Sequence, residues 1–360
     1  MNPYMNLPPQ NFWKATFSSP NLGEADFDFG RKFMFSATET FVAAGSCFAQ
    51  HFVRELSARG GNVLIGEQRH PLISEDTQHG CGVYSARYGN IYTVRQLLEL
   101  LQQALGVRNT IYEISRRSDN RWIDMLRPRA VPMGFSSEWH AMADRNYHLK
   151  VVANLVKSMD ILVYTLGLTE SWVNKKHDFC YPIVPGAISG DFSPADHEFK
   201  NFNTSETIHD LQRVFDLILS FNPRAKFLLT VSPIGLVATA EPRNVVVSTT
   251  VSKSILRAAV DEVIQTRPEV DYFPSFEIVT SPYSKSKYWA NGMREVTRSG
   301  VEAVMDVFFH SRLPGLNQQT NRHADSKPEG NDEFEMEAEA AFAGECDEIF
   351  LDPEFKRLPK

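Results

Sequence analysis

Phe41-Val42-Ala43-Ala44-Gly45-Ser46-Cys47-Phe48-Ala49 runs four apolar residues into a Gly-Ser pair. Beyond it, Phe48, Phe52 and Leu56 recur at helical spacing. The stretch therefore reads as a short buried strand, a tight turn and a helix. Gly45 admits backbone shapes that a side chain forbids. Ser46 falls near the helix N-terminus, where unpaired N–H groups favour developing negative charge. A serine on such a turn is one way hydrolases present a nucleophile. It is also a common N-cap, and the turn alone leaves both readings open.

Outward from this turn, short apolar runs alternate with helical stripes. Asn62–Gly66, Asp160–Gly167, Lys226–Pro233 and Val270–Pro274 read as further strands. Helices are expected over Val94–Leu105 and Glu138–Met159, and around Ile208–Leu219, Ile255–Ile264 and Val301–Phe309. This alternation implies parallel βαβ units in one doubly wound, five-stranded sheet. Trp172 to Thr204 reads as one long loop, and residues 107–135 as a small insertion. Residues 1–34 read as an extended arm, 35–310 as the main domain, and 311–360 as an acidic, disordered tail that Phe342 and Phe350 anchor.

Ligands of such sheets bind beyond the carboxyl ends of the strands. Ser46, Gly82, the Gly167-Leu168-Thr169-Glu170 run, Ser232 and the Ser275-Phe276-Glu277 run all follow strands and are expected on that edge. Serine-based ester chemistry needs a nucleophile, a base and oxyanion donors. Ser46 fits the first role. Its own N–H, Gly82 and the Thr169 hydroxyl fit the third. Gly82 is equally a turn glycine, and Thr169 and Glu170 are equally helix caps. Cys47 reads as a small buried hydrophobe or an alternative nucleophile. Asn90, Arg87 and Arg95 are rim candidates for an anionic or sugar ligand, or plain solvated surface.

Gly45-Ser46-Cys47-Phe48-Ala49 also spells the motif of the GSCFA-domain family, which resembles the SGNH (GDSL-like) hydrolases and acyl esterases. The runs from Thr165, Thr230 and Phe273 resemble further blocks of that family. The resemblance implies a three-layer α/β/α fold and a small acyl-ester or glycan substrate. It implies Ser46 as nucleophile and Gly82 and Thr169 at the oxyanion positions; the binding residues expected from position alone are Glu170 and Glu277 at the sheet edge and Asn90 at the rim. SGNH enzymes carry Asp-x-x-His before the last helix. Here Gly292 and Glu295 occupy those two places. The base is therefore Glu295, a histidine from elsewhere (His70, His79 or His177), or absent in a protein that binds without turnover.

The formal charge of −7 argues against nucleic acid and anionic membranes as main partners. The first nine residues have neither a basic start nor an apolar core, so a secretory signal is not expected. No apolar run approaches the roughly 20 residues of a membrane span. Cys47, Cys81, Cys180 and Cys346 form no C-x-x-C pair, which suggests neither a zinc site nor a disulfide framework. No metal cluster or phosphate loop is legible, so no cofactor is expected, and a reducing cytoplasm is the expected location.

Overall fold

The computed structural model describes residues 2–18, 27–68, 79–316 and 347–352. Its helices are α1 (Trp13–Ser18), α2 (Phe48–Ala58), α3 (Val94–Ala104), α4 (Glu138–Ser158), α5 (Thr204–Phe221), α6 (Val245–Thr266), α7 (Ser275–Thr280) and α8 (Arg298–Arg312). Its strands are β1 (Phe41–Gly45), β2 (Ile114–Arg116), β3 (Trp122–Asp124), β4 (Ile161–Leu166), β5 (Glu170–Asn174), β6 (Phe179–Tyr181), β7 (His197–Asn201), β8 (Lys226–Val231) and β9 (Val270–Tyr272).

The central sheet is parallel, in the order β1-β4-β8-β9. Side chains alternate across it with the two-residue period of a strand. Val42, Ala44, Leu162 and Tyr164 face one apolar layer, which the stripes of α3, α4, α5 and α6 complete. Phe41, Ala43, Ile161 and Val163 face the other, built from α2, α7 and α8. The result is a three-layer α/β/α arrangement. From β1 the chain leaves through α2 on one face and reaches β4 through α3 and α4 on the other. The carboxyl ends of β1 and β4 thus flank a topological switch point, where such sheets open a crevice.

Three sequence expectations change. The sheet has four strands rather than five. Asn62–Gly66 contributes only a parallel bridge, Phe41 to Val63. The reason lies in the outer edge of β1, which residues 84–91 take over. Ser85 Oγ accepts from Ala43 N at 3.0 Å, Tyr88 OH donates to Ala43 O, and Ile91 N donates to Gly45 O at 2.8 Å. The expected loop from Trp172 to Thr204 holds two strands and most of a third, in an antiparallel sheet ordered β6-β5-β7. Its strands are three to five residues long, too short for a visible period. The N-terminal stretch is not simply extended: it carries 3-10 turns at Pro3–Asn6 and Pro9–Asn11 before α1.

Residues 107–135 contain the β2–β3 hairpin. A buried charge network joins it to the sheet's helical layer. Asp124 receives Arg127 at 2.9 Å and Arg145 at 3.4 Å. Arg127 also reaches Asp144 at 2.7 Å. Within the segment expected to be a disordered tail, Asp347–Leu351 forms a 3-10 turn with Asp347 and Glu348 buried. Phe342 lies outside the described residues.

Candidate active site

The β1–α2 turn has one possible residue at its apex. Gly45 has φ +136°, and a Cβ there would lie 2.2 Å from the Thr165 carbonyl oxygen. Ser46 N donates to that same oxygen at 3.1 Å. The close approach to β4 fixes the turn. It also commits the Ser46 amide, so this N–H is not the oxyanion donor expected from the sequence. Ser46 is 3% exposed, and its Oγ has no hydrogen-bond partner among the described residues. A buried unpaired hydroxyl costs about 1–3 kcal/mol. The hydroxyl does not cap α2 either, so the helix entry leaves this oxygen unused. Cys47, next along, sits in a small apolar cluster with Tyr92, Leu168 and Leu236.

Gly167, just past β4, forms the other wall. A Cβ on it would lie 3.0 Å from Ser46 Cβ and 3.1 Å from Tyr92 O. The Gly167 and Leu168 amides both donate to Tyr92 O. The Gly167 carbonyl accepts from Lys253 Nζ at 2.6 Å. Lys253 is 3% exposed and projects from α6. The sequence reading missed it. The signal was present: Lys253 lies three and seven residues before Leu256 and Val260, on the buried stripe of that helix.

The other expected residues divide. Thr169 follows closely on Gly167, but its hydroxyl donates to Asn201 Oδ1 at 2.8 Å and lies 3.1 Å from Ser252 Oγ. Its amide is bound to Ser252 as well. Glu170 accepts from the Thr239 hydroxyl at 2.8 and 3.0 Å. It lines a cavity of ≈ 240 Å³ with Tyr92 and Leu168. Burial raises its carboxyl above the ordinary range, Thr239 opposes this, and Glu241 adds to it.

Asn90 lies beside the turn: the next residue, Ile91, bonds Gly45. Tyr84 OH donates to Asn90 Oδ1 at 2.6 Å, and Gln50 Nε2 donates to Tyr84 OH at 2.8 Å. This chain orients the Asn90 amide so that Nδ2 faces a carboxylate, Asp347 Oδ2, at 3.0 Å.

Gly82 is in an exposed turn, with φ +76° and, among the described residues beyond its chain neighbours, no atom within 4 Å of its Cβ position. Glu295 pairs with Arg294 at 3.5 Å and is about a third exposed (31%). Glu277 belongs to the far edge of the sheet, where it binds Arg257 at 2.8 Å and the Tyr272 hydroxyl at 2.7 Å. Arg87 and Arg95 are not open rim cations: Arg87 pairs with Glu67 and Asp144, and Arg95 with Asp210. His79 and His177 are exposed. His70 lies outside the described residues.

Leu236 connects the Ser46–Cys47 surroundings to a second space. It lines both the ≈ 240 Å³ cavity and a groove of ≈ 980 Å³. Lys253, Arg257 and Arg294 reach this groove among Val245, Val246 and Met293. Among the described residues no group of His, Cys, Asp or Glu side chains forms a metal site, and no helix is long and apolar enough to cross a membrane.

Comparison with known proteins gives three findings. No curated protein matches the chain. Among solved structures it is similar to an acetyl esterase mutant with acetate ion, at 11% identity and a TM-score of 0.31, covering 78% of this chain and 97% of that one. The model of the GSCFA family matches residues 40–308, most of the chain and all of the central sheet. The chain belongs to the GSCFA family.

Proposed function

We propose that the chain is a serine esterase or O-acyltransferase acting on a small acyl ester, with a glycan as a candidate acyl carrier, and that Ser46 is its nucleophile. One observation carries this reading. A serine hydroxyl without a partner among the described residues is held at the sheet's switch point, on a turn that only glycine can build. Attack by Ser46 Oγ on the acyl carbonyl forms an acyl-serine and releases the alcohol. Water or a second hydroxyl then takes the acyl group.

Asn90 supports the oxyanion role better than Thr169, because its Nδ2 already donates to a carboxylate oxygen while the Thr169 hydroxyl is spent on Asn201. For the base, Lys253 is favoured over Glu295. Its amine is anchored on Gly167, the residue packed against Ser46, whereas Glu295 is drawn to Arg294. Lysine can replace histidine as the partner of a nucleophilic serine, and such contacts often tighten only when substrate is bound.

Turnover of p-nitrophenyl acetate tests the assignment. Ser46→Ala should lower it by about 10³-fold or more. Equal rates in both proteins remove Ser46 from the mechanism. Lys253→Met should cause a comparable loss, with Glu295→Gln nearly neutral.

The second reading is an inactive, SGNH-like binding protein for a carbohydrate or an acyl-carrying partner. The engagement of the Thr169 hydroxyl favours it, as does the ion pair of Glu295. A serine-reactive fluorophosphonate separates the two. Stoichiometric labelling of Ser46 supports the enzyme, and none supports the binder.

A further inference from the structure

We propose that Asp347–Leu351 is a plug bound in cis, and that the mouth it fills is a carboxylate-binding site built from Asn90, Arg129 and Arg294. Its gating of Ser46 rests on the function proposed above; its binding does not.

Acidic side chains are rarely buried unless paired, yet Asp347 is 3% and Glu348 6% exposed. Each meets donors from distant parts of the chain. Asp347 accepts from Asn90 Nδ2 at 3.0 Å and lies 3.9 Å from the Arg129 guanidinium. Glu348 accepts from Arg294 Nη2 at 3.3 Å. The Arg129 guanidinium also sits 5.9 Å from the Phe350 ring centroid, within range of a cation–π contact.

The position matters as much as the contacts. Glu348 and Leu351 wall the ≈ 240 Å³ cavity together with Tyr92, Leu168 and Leu236, which share an apolar cluster with Cys47. Asp347 walls a ≈ 90 Å³ cavity with Gln50 and Asn90. The segment therefore walls two spaces near the Ser46 turn, one beside the Cys47 cluster and one beside Asn90, whose neighbour Ile91 bonds Gly45.

Arg129 belongs to the region after the β2–β3 hairpin and Arg294 to the loop before α8. Two cations and an oriented amide converge on one acidic turn. A ligand that displaces the turn must offer these donors comparable acceptors. The fitting class is an ester or glycan that carries a carboxylate, which would seat where Glu348 now sits, while its acyl oxygen takes the Asn90 amide that Asp347 now occupies.

Hydrogen exchange on the full chain tests this. In Asp347→Asn/Glu348→Gln, amides of 347–352 and of 90–92 should exchange at least tenfold faster, with the rest of the sheet unchanged. Millimolar succinate should restore protection at 90–92 in that variant. Arg294→Glu should loosen 347–352, and adding Glu348→Arg should tighten it again. Unchanged protection in the double carboxylate variant overturns the plug, and failure of succinate to protect overturns the carboxylate site. Fluorophosphonate labelling of the same variant tells this apart from the nucleophile. Faster labelling of Ser46 supports the gate, whereas faster exchange with no labelling keeps the plug and removes Ser46 as nucleophile.

Discussion

A β-carbon on Gly45 would meet the backbone of β4 at 2.2 Å, and backbone cannot move aside as a side chain can. Its φ of +136° adds strain for any other residue. Gly45→Ala should therefore lower the unfolding free energy by about 2–4 kcal/mol. Gly82→Ala should cost only about 1 kcal/mol, since a positive φ is its sole obstacle and the space around it is open. Urea denaturation of both proteins checks the contrast, and equal losses would show that the Gly45 turn is not the constraint it looks to be. The difference also marks what a local pattern reveals. The Gly45–Ser46 turn was legible because an apolar run and a helical stripe bracket it. Which glycine-bearing loop approaches it was not, because that depends on residues 84–91 crossing the outer edge of β1. The contact falls at Asn90–Tyr92 rather than at Gly82.

At the scale of elements, long periodic segments were legible and short ones were not. The helices over 94–104 and 204–221 announce themselves by stripe and cap: Thr93–Gln96 and Asn203–Glu206 are capping boxes. The strands of the β6-β5-β7 sheet escaped because their stability comes from what they pack on. Glu99 of α3 shows this coupling. Its carboxylate accepts from Cys180 N in β6 at 2.8 Å. Burial raises its pKa to about 7, against the Cys180 bond and the charges of Arg108 and Arg95. A carboxyl raised in the folded state gives its full stability below the unfolded value of 4.5. That stability is lost as pH rises through about 7. The span corresponds to about 3 kcal/mol. His51 acts the other way: burial, then Arg54, lowers it to about 3, so its contribution fades as pH falls below 6.5. Wild type alone mixes the two. Glu99→Gln keeps an acceptor for Cys180 and removes one titration, so its stability relative to wild type should rise by about 2.5 kcal/mol between pH 5 and pH 8. Parallel pH profiles of the two proteins would remove Glu99 as the coupling group between α3 and β6.

At the scale of the whole molecule, one side chain ties three distant pieces together. Arg312, at the end of α8, is fully buried. It grips both oxygens of Asp28 at 2.6 Å, reaches Asp271 in β9, and donates to Phe33 O and Tyr272 O at 2.9 Å. Asp28 is 284 residues away in sequence, so no local pattern joins it to α8; the sequence shows only that residues before 35 lack a period. Two carboxylates share one guanidinium, and both lose that cation if it goes, keeping, among the described residues, only neutral donors such as Ser311 Oγ and Lys32 N. Breaking a buried pair from one side costs about 3–5 kcal/mol, mostly from the charge left behind. Arg312→Met should lose that much. Arg312→Lys should recover only part of it, because an ammonium cannot match the two-oxygen grip on Asp28 while also reaching Asp271. Adding Asp28→Asn to Arg312→Met should regain stability, since one orphaned charge is then removed. Urea denaturation of the four proteins decides the matter. If Asp28→Asn brings no recovery in the Met background, the arm is held by its aromatic contacts, Phe33 and Phe35 packed at 5.5 Å and Phe35 on Phe41 at 5.5 Å, and not by charge.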